Sequence, residues 1–322
     1  MNNLSVFSGS SNPSLTNAIC EYIGIPVGNG IVSHFPDGET MIKIDDDVRG
    51  KDCFIVQPTC SPVNNNLMEL LIYIDCLKRS SAQSITVVAP YFGYARQDRK
   101  TEGRTPITAK MSADLITHVG ANRILTVDLH AHQIEGFFNI PVDHLKAVPI
   151  FINHLRDFNL DNISILSPDI GNAKSANIYA EKMGIELAII DKKRISGNEV
   201  VPLKLIGNVK DKNVLMFDDI ISTAGTICSA AVMAKDYGAK SVSVYATHGL
   251  FTGQAYERLV ESKIDNIYIT DTIPLTKRIR DIKHPSIHVF SIAKLLGEAI
   301  LRIHQRRSVS FLLSDEYENS LR

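Results

Sequence analysis

The sequence predicts an α/β fold of two domains, each a mostly parallel sheet flanked by helices, and three observations predict it. Short apolar runs rich in β-branched residues alternate with longer segments of helical period, the pattern of parallel strands joined through crossover helices. Ten such runs suit two sheets better than one. A chain of 322 residues also has the length for two domains of roughly 150 residues each.

Taken in order, strands are expected over Leu4–Ser8 (LSVFS) and Cys53–Gln57 (CFIVQ), followed by a helix over Asn65–Arg79. A strand over Ile85–Ala89 (ITVVA), a helix over Ile107–His118 and a strand over Ile124–Asp128 (ILTVD) continue the alternation. The segment GFFNIPVDHLKAVP then breaks the rhythm with two prolines and a glycine, which places a domain boundary near Pro141–Pro149 and gives domains of 1–145 and 146–322. Beyond it come strands at Ile163–Leu166, Leu187–Ile190, Val214–Phe217, Val242–Ala246, Ile267–Ile269 and Ile287–Phe290. Helices are expected at Lys174–Met183, Thr226–Tyr237 and Ala293–His304, the last of which is apolar enough to close either domain. There is no exact internal repeat, although both halves contain apolar strand, polar turn and helix in that order, and there is no low-complexity linker.

Composition excludes several function classes. Lys and Arg number 34 against 35 Asp and Glu, so no overall positive field gathers nucleic acid or an anionic membrane, and any anion must be held by a local site. The N-terminus MNNLSVFSGSSNPSL lacks a basic start followed by an apolar run, and no stretch approaches a membrane span, so a cytoplasmic location is expected. Five cysteines, Cys20, Cys53, Cys60, Cys76 and Cys228, form no CxxC pair and are expected to be reduced and structural.

Ligands of open α/β sheets bind beyond the carboxyl ends of the strands, where helix N-termini present backbone N–H groups. The most informative such turn is VLMFDDIISTAGT, Val214 to Thr226. Its small residues Ser222, Thr223, Ala224, Gly225 and Thr226 let the backbone approach a tetrahedral anion, and hydroxyls and the helix dipole satisfy its oxygens. Asp218 and Asp219 beside it would repel a phosphate but suit sugar hydroxyls or a magnesium shell. A phosphorylated sugar fits both halves, while the plainer alternative is an acid-capped helix after an ordinary turn.

Other strand ends carry further chemistry. PYFGYARQDRK, Pro90 to Lys100, combines Arg96, Arg99 and Lys100 with the flat surfaces of Tyr91, Phe92 and Tyr94, a mixture that suits a nucleotide. DLHAHQIEGFF follows the strand ending at Asp128, and SPDIGNAKSA follows Ile163–Leu166. Taken singly, His130 reads as a core histidine and Asp169 as a helix N-cap, yet both stand at strand ends like the phosphate cradle.

These motifs, together with FPDGE at Phe35–Glu39, NNNLMELLIYIDCLKR, PITAK, GFFNIPVDHL, DTIPL and SVSFL, closely resemble the ribose-phosphate pyrophosphokinase family from Leu4 to about Leu313. The resemblance implies two phosphoribosyltransferase-like α/β domains and transfer of the terminal diphosphate of ATP to the C1 hydroxyl of ribose 5-phosphate, with Mg2+ as cofactor. It implies ATP binding by Phe35, Asp37, Gly38 and Glu39 from a neighbouring subunit and by Arg96, Gln97 and Arg99. His130 and Asp169 match metal positions, and Lys192 and Arg194 match a catalytic-loop Lys and Arg. Ribose 5-phosphate would meet Arg194, Asp218, Asp219 and Ser222 to Thr226. A homo-oligomer, by resemblance a hexamer, is expected, with Arg49, Arg104 and Ser308–Ser310 as candidates for lining regulatory sites.

Four positions depart from the family's usual pattern: Asn172, Ser175, Ser222 and Val201. They touch the sugar-phosphate side and keep a second reading open, a non-catalytic regulatory homologue. A third reading, a phosphoribosyltransferase, has no use for the ATP-side half of the chain, Phe35 to Lys100.

Overall fold

The computed structural model describes residues 3–196 and 199–320, and for 192–196 and 199–203 the backbone course alone. In chain order the first part holds β1 (Leu4–Ser8), α1 (Pro13–Ile23), β2 (Gly30–His34), β3 (Thr40–Ile44), β4 (Asp52–Val56), α2 (Val63–Arg79), β5 (Ser84–Ala89), α3 (Thr108–Val119), β6 (Arg123–Val127) and β7 (Val142–Leu145). The second holds α4 (Val148–Leu155), β8 (Ile163–Ser167), α5 (Ala173–Met183), β9 (Leu187–Ser196), β10 (Glu199–Ile206), β11 (Asn213–Ile221), α6 (Gly225–Asp236), β12 (Ser241–Gly249), α7 (Ala255–Val260), β13 (Asn266–Thr270), α8 (Lys277–Arg280), β14 (Ser286–Phe290) and α9 (Ala293–His304).

The chain divides into two compact units, one of residues 1–147, 272–274 and 291–317, the other of 148–271, 275–290 and 318–322. In the first, five parallel strands stand in the order β1-β4-β5-β6-β7, and β2 pairs with β3 as a separate antiparallel ribbon. Ile55, Val56, Val87, Val88 and Leu125 are wholly buried because helices cover both faces of a parallel sheet. Leu70, Ile74 and Leu77 of α2 lie in the same core. Helix α1 starts where the Asn12 side chain accepts the Leu15 N–H, with Pro13 supplying a pre-set φ, and ends at Gly24 in the left-handed region. Helix α9 packs on α1 within this unit.

The second unit is a seven-stranded sheet in the order β10-β9-β8-β11-β12-β13-β14, parallel except for the antiparallel β9–β10 pair. Helix α6 turns Ala230, Ala231 and Ala234 toward Val214, Met216 and Val244 in one core cluster, and the short side chains allow close approach. The order reverses at the middle. From β8 the chain builds outward through β9 and β10, then returns to place β11 on the other side of β8. That reversal opens a crevice between the carboxyl ends of β8 and β11.

Several elements exceed the expectation. The β2–β3 ribbon, β7 and β10 join the ten strands read from the sequence, and β9, β11 and β12 run longer. The cysteines are free; burial pushes the Cys20 thiol up to about 11 and Cys53 up to about 12, so both stay protonated and unreactive.

Candidate active site

The strand order of the second unit points to the β8–β11 crevice. Strand β11 pairs with β8 only over Asn213–Leu215, whereas on its other side it stays paired with β12 as far as Ile221. Asp218 and Asp219 therefore sit inside the strand rather than after it, where the edge facing β8 has opened. Asp218 Oδ1 accepts the Asp219 N–H at 2.9 Å. Burial holds the Asp218 carboxyl well above the ordinary carboxylate range, helped by a shared hydrogen bond with and repulsion from Asp219, and by the charge of Asp169. Like charge crowds the Asp218 carboxyl, and a proton on it or a nearby cation would relieve that crowding.

Asp169 comes from the loop after β8. Its Oδ1 accepts the Asn172 N–H at 2.9 Å, and Ser167 Oγ donates to its carbonyl at 2.7 Å. Asn172, one of the departures, donates from Nδ2 to the Phe217 carbonyl at 2.7 Å and so ties the start of α5 to β11.

The small-residue turn leads from β11 into α6. Ala224 lies in the left-handed region at φ 59°, and Gly225 opens the helix. Residues 250–258 brace the turn from outside. The Leu250 and Phe251 N–H groups donate to the Ile221 carbonyl, Thr252 N–H donates to Ser222 O at 2.9 Å, and Ser222 Oγ lies 3.1 Å from Thr252 Oγ1. The Arg258 guanidinium donates to the Thr223 carbonyl at 2.9 Å. With these carbonyls engaged, the first-turn N–H groups of α6 have no acceptor within the helix, the feature by which a helix start can take an anion. Thr223 and Thr226 are exposed beside them.

The remaining expected residues belong to the first unit, except Lys192 and Arg194, whose side chains lie outside the described residues. Phe35 to Glu39 form the exposed tip of the β2–β3 ribbon, not a strand-end loop of the five-stranded sheet. Gly38 turns the chain at φ 95°, its N–H donates to Phe35 O at 2.9 Å, and Asp37 Oδ1 accepts the Glu39 N–H at 3.1 Å. The Phe35 ring is 50% exposed. Arg96 and Arg99 are exposed in the loop after β5. Gln97 accepts from Thr108 Oγ1 at 2.6 Å. Tyr91 and Phe92, expected as ligand-facing surface, are only 4% and 2% exposed and belong to the core, Phe92 packing against Phe138 at 5.5 Å. Apolar rings next to a buried strand gain more from that core than from solvent. Arg49, Arg104, Ser308 and Ser310 are all exposed.

His130 is exposed just past β6. A bond between Gln133 Nε2 and Asp98 Oδ2 of 2.5 Å ties its turn to the β5 loop carrying Arg96 and Arg99. Asp128, at φ 40°, begins that turn, with Oδ2 accepting the Ala147 N–H at 2.9 Å and Oδ1 3.5 Å from Lys146 Nζ. Sequence reasoning passed over Asp128, Lys146 and Arg258 as shaping residues. Their partners are distant along the chain, and no local signal announces them.

Comparison with known proteins agrees over nearly the whole chain. Residues 4–120 match the N-terminal domain of ribose phosphate pyrophosphokinase, and residues 193–314 match the phosphoribosyl synthetase-associated domain. The ribose-phosphate pyrophosphokinase of Rhodopirellula baltica is 50% identical over 98% of this chain and 100% of its own length. That of Caldanaerobacter subterraneus subsp. tengcongensis is 50% identical over 97% of this chain and 98% of its own. The crystal structure of phosphoribosylpyrophosphate synthetase from Mycobacterium smegmatis superposes with a TM-score of 0.88 at 38% identity, covering 94% of this chain and 99% of that one. With half its residues shared with such relatives over their full length, the chain belongs to the ribose-phosphate pyrophosphokinase family.

Proposed function

We propose that the protein transfers the β,γ-diphosphate of ATP to the C1 hydroxyl of ribose 5-phosphate, giving phosphoribosyl diphosphate and AMP. The observation that carries this is the β8–β11 crevice, where the start of α6 adjoins the buried, charge-crowded Asp218 and its neighbour Asp219. The backbone and hydroxyls of Ser222, Thr223, Ala224, Gly225 and Thr226 hold the 5-phosphate. Asp218 and Asp219 accept the ribose hydroxyls and orient C1 toward ATP, which converts much of the barrier into binding already accomplished. Arg96, Arg99 and the Gln97 amide hold ATP from one subunit. Phe35, Asp37 and Glu39, exposed on their ribbon, supply a ring and carboxylates to the adenine of another.

Carboxylate oxygens suit a hard divalent cation, and one near Asp218 would offset the negative charge that burdens it. Asp169 would hold Mg2+, and in the first unit His130 would hold Mg2+ or the ATP phosphates; the chemistry of the ion when bound is to neutralise phosphate charge. Lys192 and Arg194 stabilise charge developing between the β-phosphorus and departing AMP. Both stand on β9 of the β9–β10 hairpin, beside β8. No helix among the described residues is long and apolar enough to cross a membrane, and a cytoplasmic homo-oligomer suits this reading.

Incubation of the purified protein with ATP, Mg2+ and ribose 5-phosphate should yield AMP and phosphoribosyl diphosphate in equal amounts. Absence of AMP would retire the catalytic reading in favour of the regulatory one. Consumption of phosphoribosyl diphosphate with a free base would favour a transferase. Light scattering tests the shared ATP site, which a fully active monomer would contradict.

A further inference from the structure

We propose that His144 is a positioning residue for the turn that carries His130, its imidazole held as one tautomer that accepts the Leu129 amide and sets the course of the chain into His130. The proposal rests on the reading of His130 as a holder of magnesium and ATP phosphate.

The side chain of His144, near the end of β7, is 4% exposed. Its Nε2 lies 2.8 Å from the Leu129 N and 3.0 Å from Lys146 Nζ. An amide and an ammonium both donate, so Nε2 must present a lone pair. Nδ1 lies 2.5 Å from Glu135 Oε1, a carboxylate that accepts. The proton of a neutral ring therefore sits on Nδ1. Burial and the Lys146 charge both push the ring away from its doubly protonated form, against the pull of Glu135 and Asp128.

The same tautomer decides against a competing assignment. His132, Glu135 and His144 have ligand atoms near enough to hold a metal ion. A metal on His144 Nδ1 would move the ring proton to Nε2, into the Leu129 N–H and the Lys146 ammonium. Metal-bound histidines instead direct their second N–H at an acceptor.

What the ring holds is a turn that needs holding. Asp128 adopts a left-handed conformation unfavourable for a residue with a Cβ. Residues 144–147 pin it at successive points: Asp128 N–H donates to Leu145 O at 3.0 Å, Ala147 N–H donates to Asp128 Oδ2, Lys146 approaches Oδ1, and His144 takes the next amide, Leu129. Leu129 is buried and His130 is exposed, so that amide is the last anchored point before the exposed residue.

Neutron diffraction from crystals of the wild-type enzyme should show the ring deuteron of His144 on Nδ1 and none on Nε2; the reverse would overturn the proposal whatever any variant does. In the metal-free enzyme, His144→Phe should speed amide exchange at Leu129 about tenfold, whereas His144→Gln, whose Oε1 reaches the place of Nε2, should stay within about threefold of wild type. AMP release should follow, with a raised magnesium requirement in His144→Phe that is restored in His144→Gln. Equal loss in both variants, or slow Leu129 exchange in His144→Phe, would overturn the proposal. One zinc ion bound by wild type and lost in both His132→Ala and Glu135→Ala would do the same. Failure of the underlying site reading shows separately, as a His130→Ala enzyme with unchanged magnesium response while the tautomer and Leu129 exchange stay as expected.

Discussion

Asp169 serves two purposes that one pair of variants separates. Its Oδ1 accepts the Asn172 N–H at 2.9 Å at the start of α5, and its charge adds to the repulsion around Asp218. Asp169→Ala removes both, while Asp169→Asn keeps an oxygen acceptor and removes the charge. Losing such a turn hydrogen bond costs about 1 kcal/mol. In a unit of this size that lowers the unfolding midpoint by about 2–4 °C. Asp169→Asn should unfold within about 1 °C of wild type, since its amide oxygen can accept the same Asn172 N–H. The charge acts on pH dependence with a definite sign. Asp218 has its folded pKa raised, so its contribution to stability is full below the unfolded carboxylate value of about 3.9 and is lost as pH rises through the raised value. Removing the Asp169 charge lessens the raise and hence the loss toward neutral pH. Magnesium titration of AMP release, at saturating ATP and ribose 5-phosphate, should show both variants needing at least about tenfold more metal for half-maximal rate, a change of about 1.4 kcal/mol. An Asp169→Asn enzyme with the wild-type rate and magnesium response would leave Asp169 as a turn residue and nothing more; the N-cap position of α5 belongs to Asn172.

Three further outcomes are expected. Lys192→Ala should slow AMP release by on the order of a hundredfold, the loss typical of one preorganised transition-state donor, and a change of only a few-fold would take Lys192 out of the mechanism. Ser222→Asp should alter the apparent affinity for ribose 5-phosphate by less than about tenfold, because the backbone N–H groups of the cradle remain with either side chain. Silence of the wild-type protein, together with activity in a Ser222→Asp, Ser175→Arg double variant, would instead make the departures the cause of a lost activity. Asp218→Asn should raise the unfolding midpoint of the ligand-free protein near neutral pH, where the buried carboxyl disfavours the folded state, and flatten its fall between acid and neutral pH. A lower midpoint in scanning calorimetry across that range would refute the charge account.

The sequence by itself determined the alternation of parallel strands and helices, because burial on both faces writes a strand as an unbroken apolar run. β1 keeps the predicted limits for that reason, α9 keeps its own because one face of the helix is apolar, and the small-residue turn at Ser222–Thr226 was legible because its chemistry is local. The motifs also carried the family resemblance, which comparison over the full chain bears out. Elements made by pairing rather than by apolar content were not legible: β2 and β3 are half-exposed, and β9 extends through charged Asp191–Arg194 only because β10 lies beside it. Tyr91 and Phe92 read as ligand surface since composition cannot say which side of a strand end faces the core. Only the tertiary structure tied Asn172 to the Phe217 carbonyl, set Arg258 against the cradle, and aimed His144 at the Leu129 amide. Each of these depends on strand order, which is chosen by the packing of whole elements; a residue's neighbours along the chain carry no record of which strand will lie next to its own.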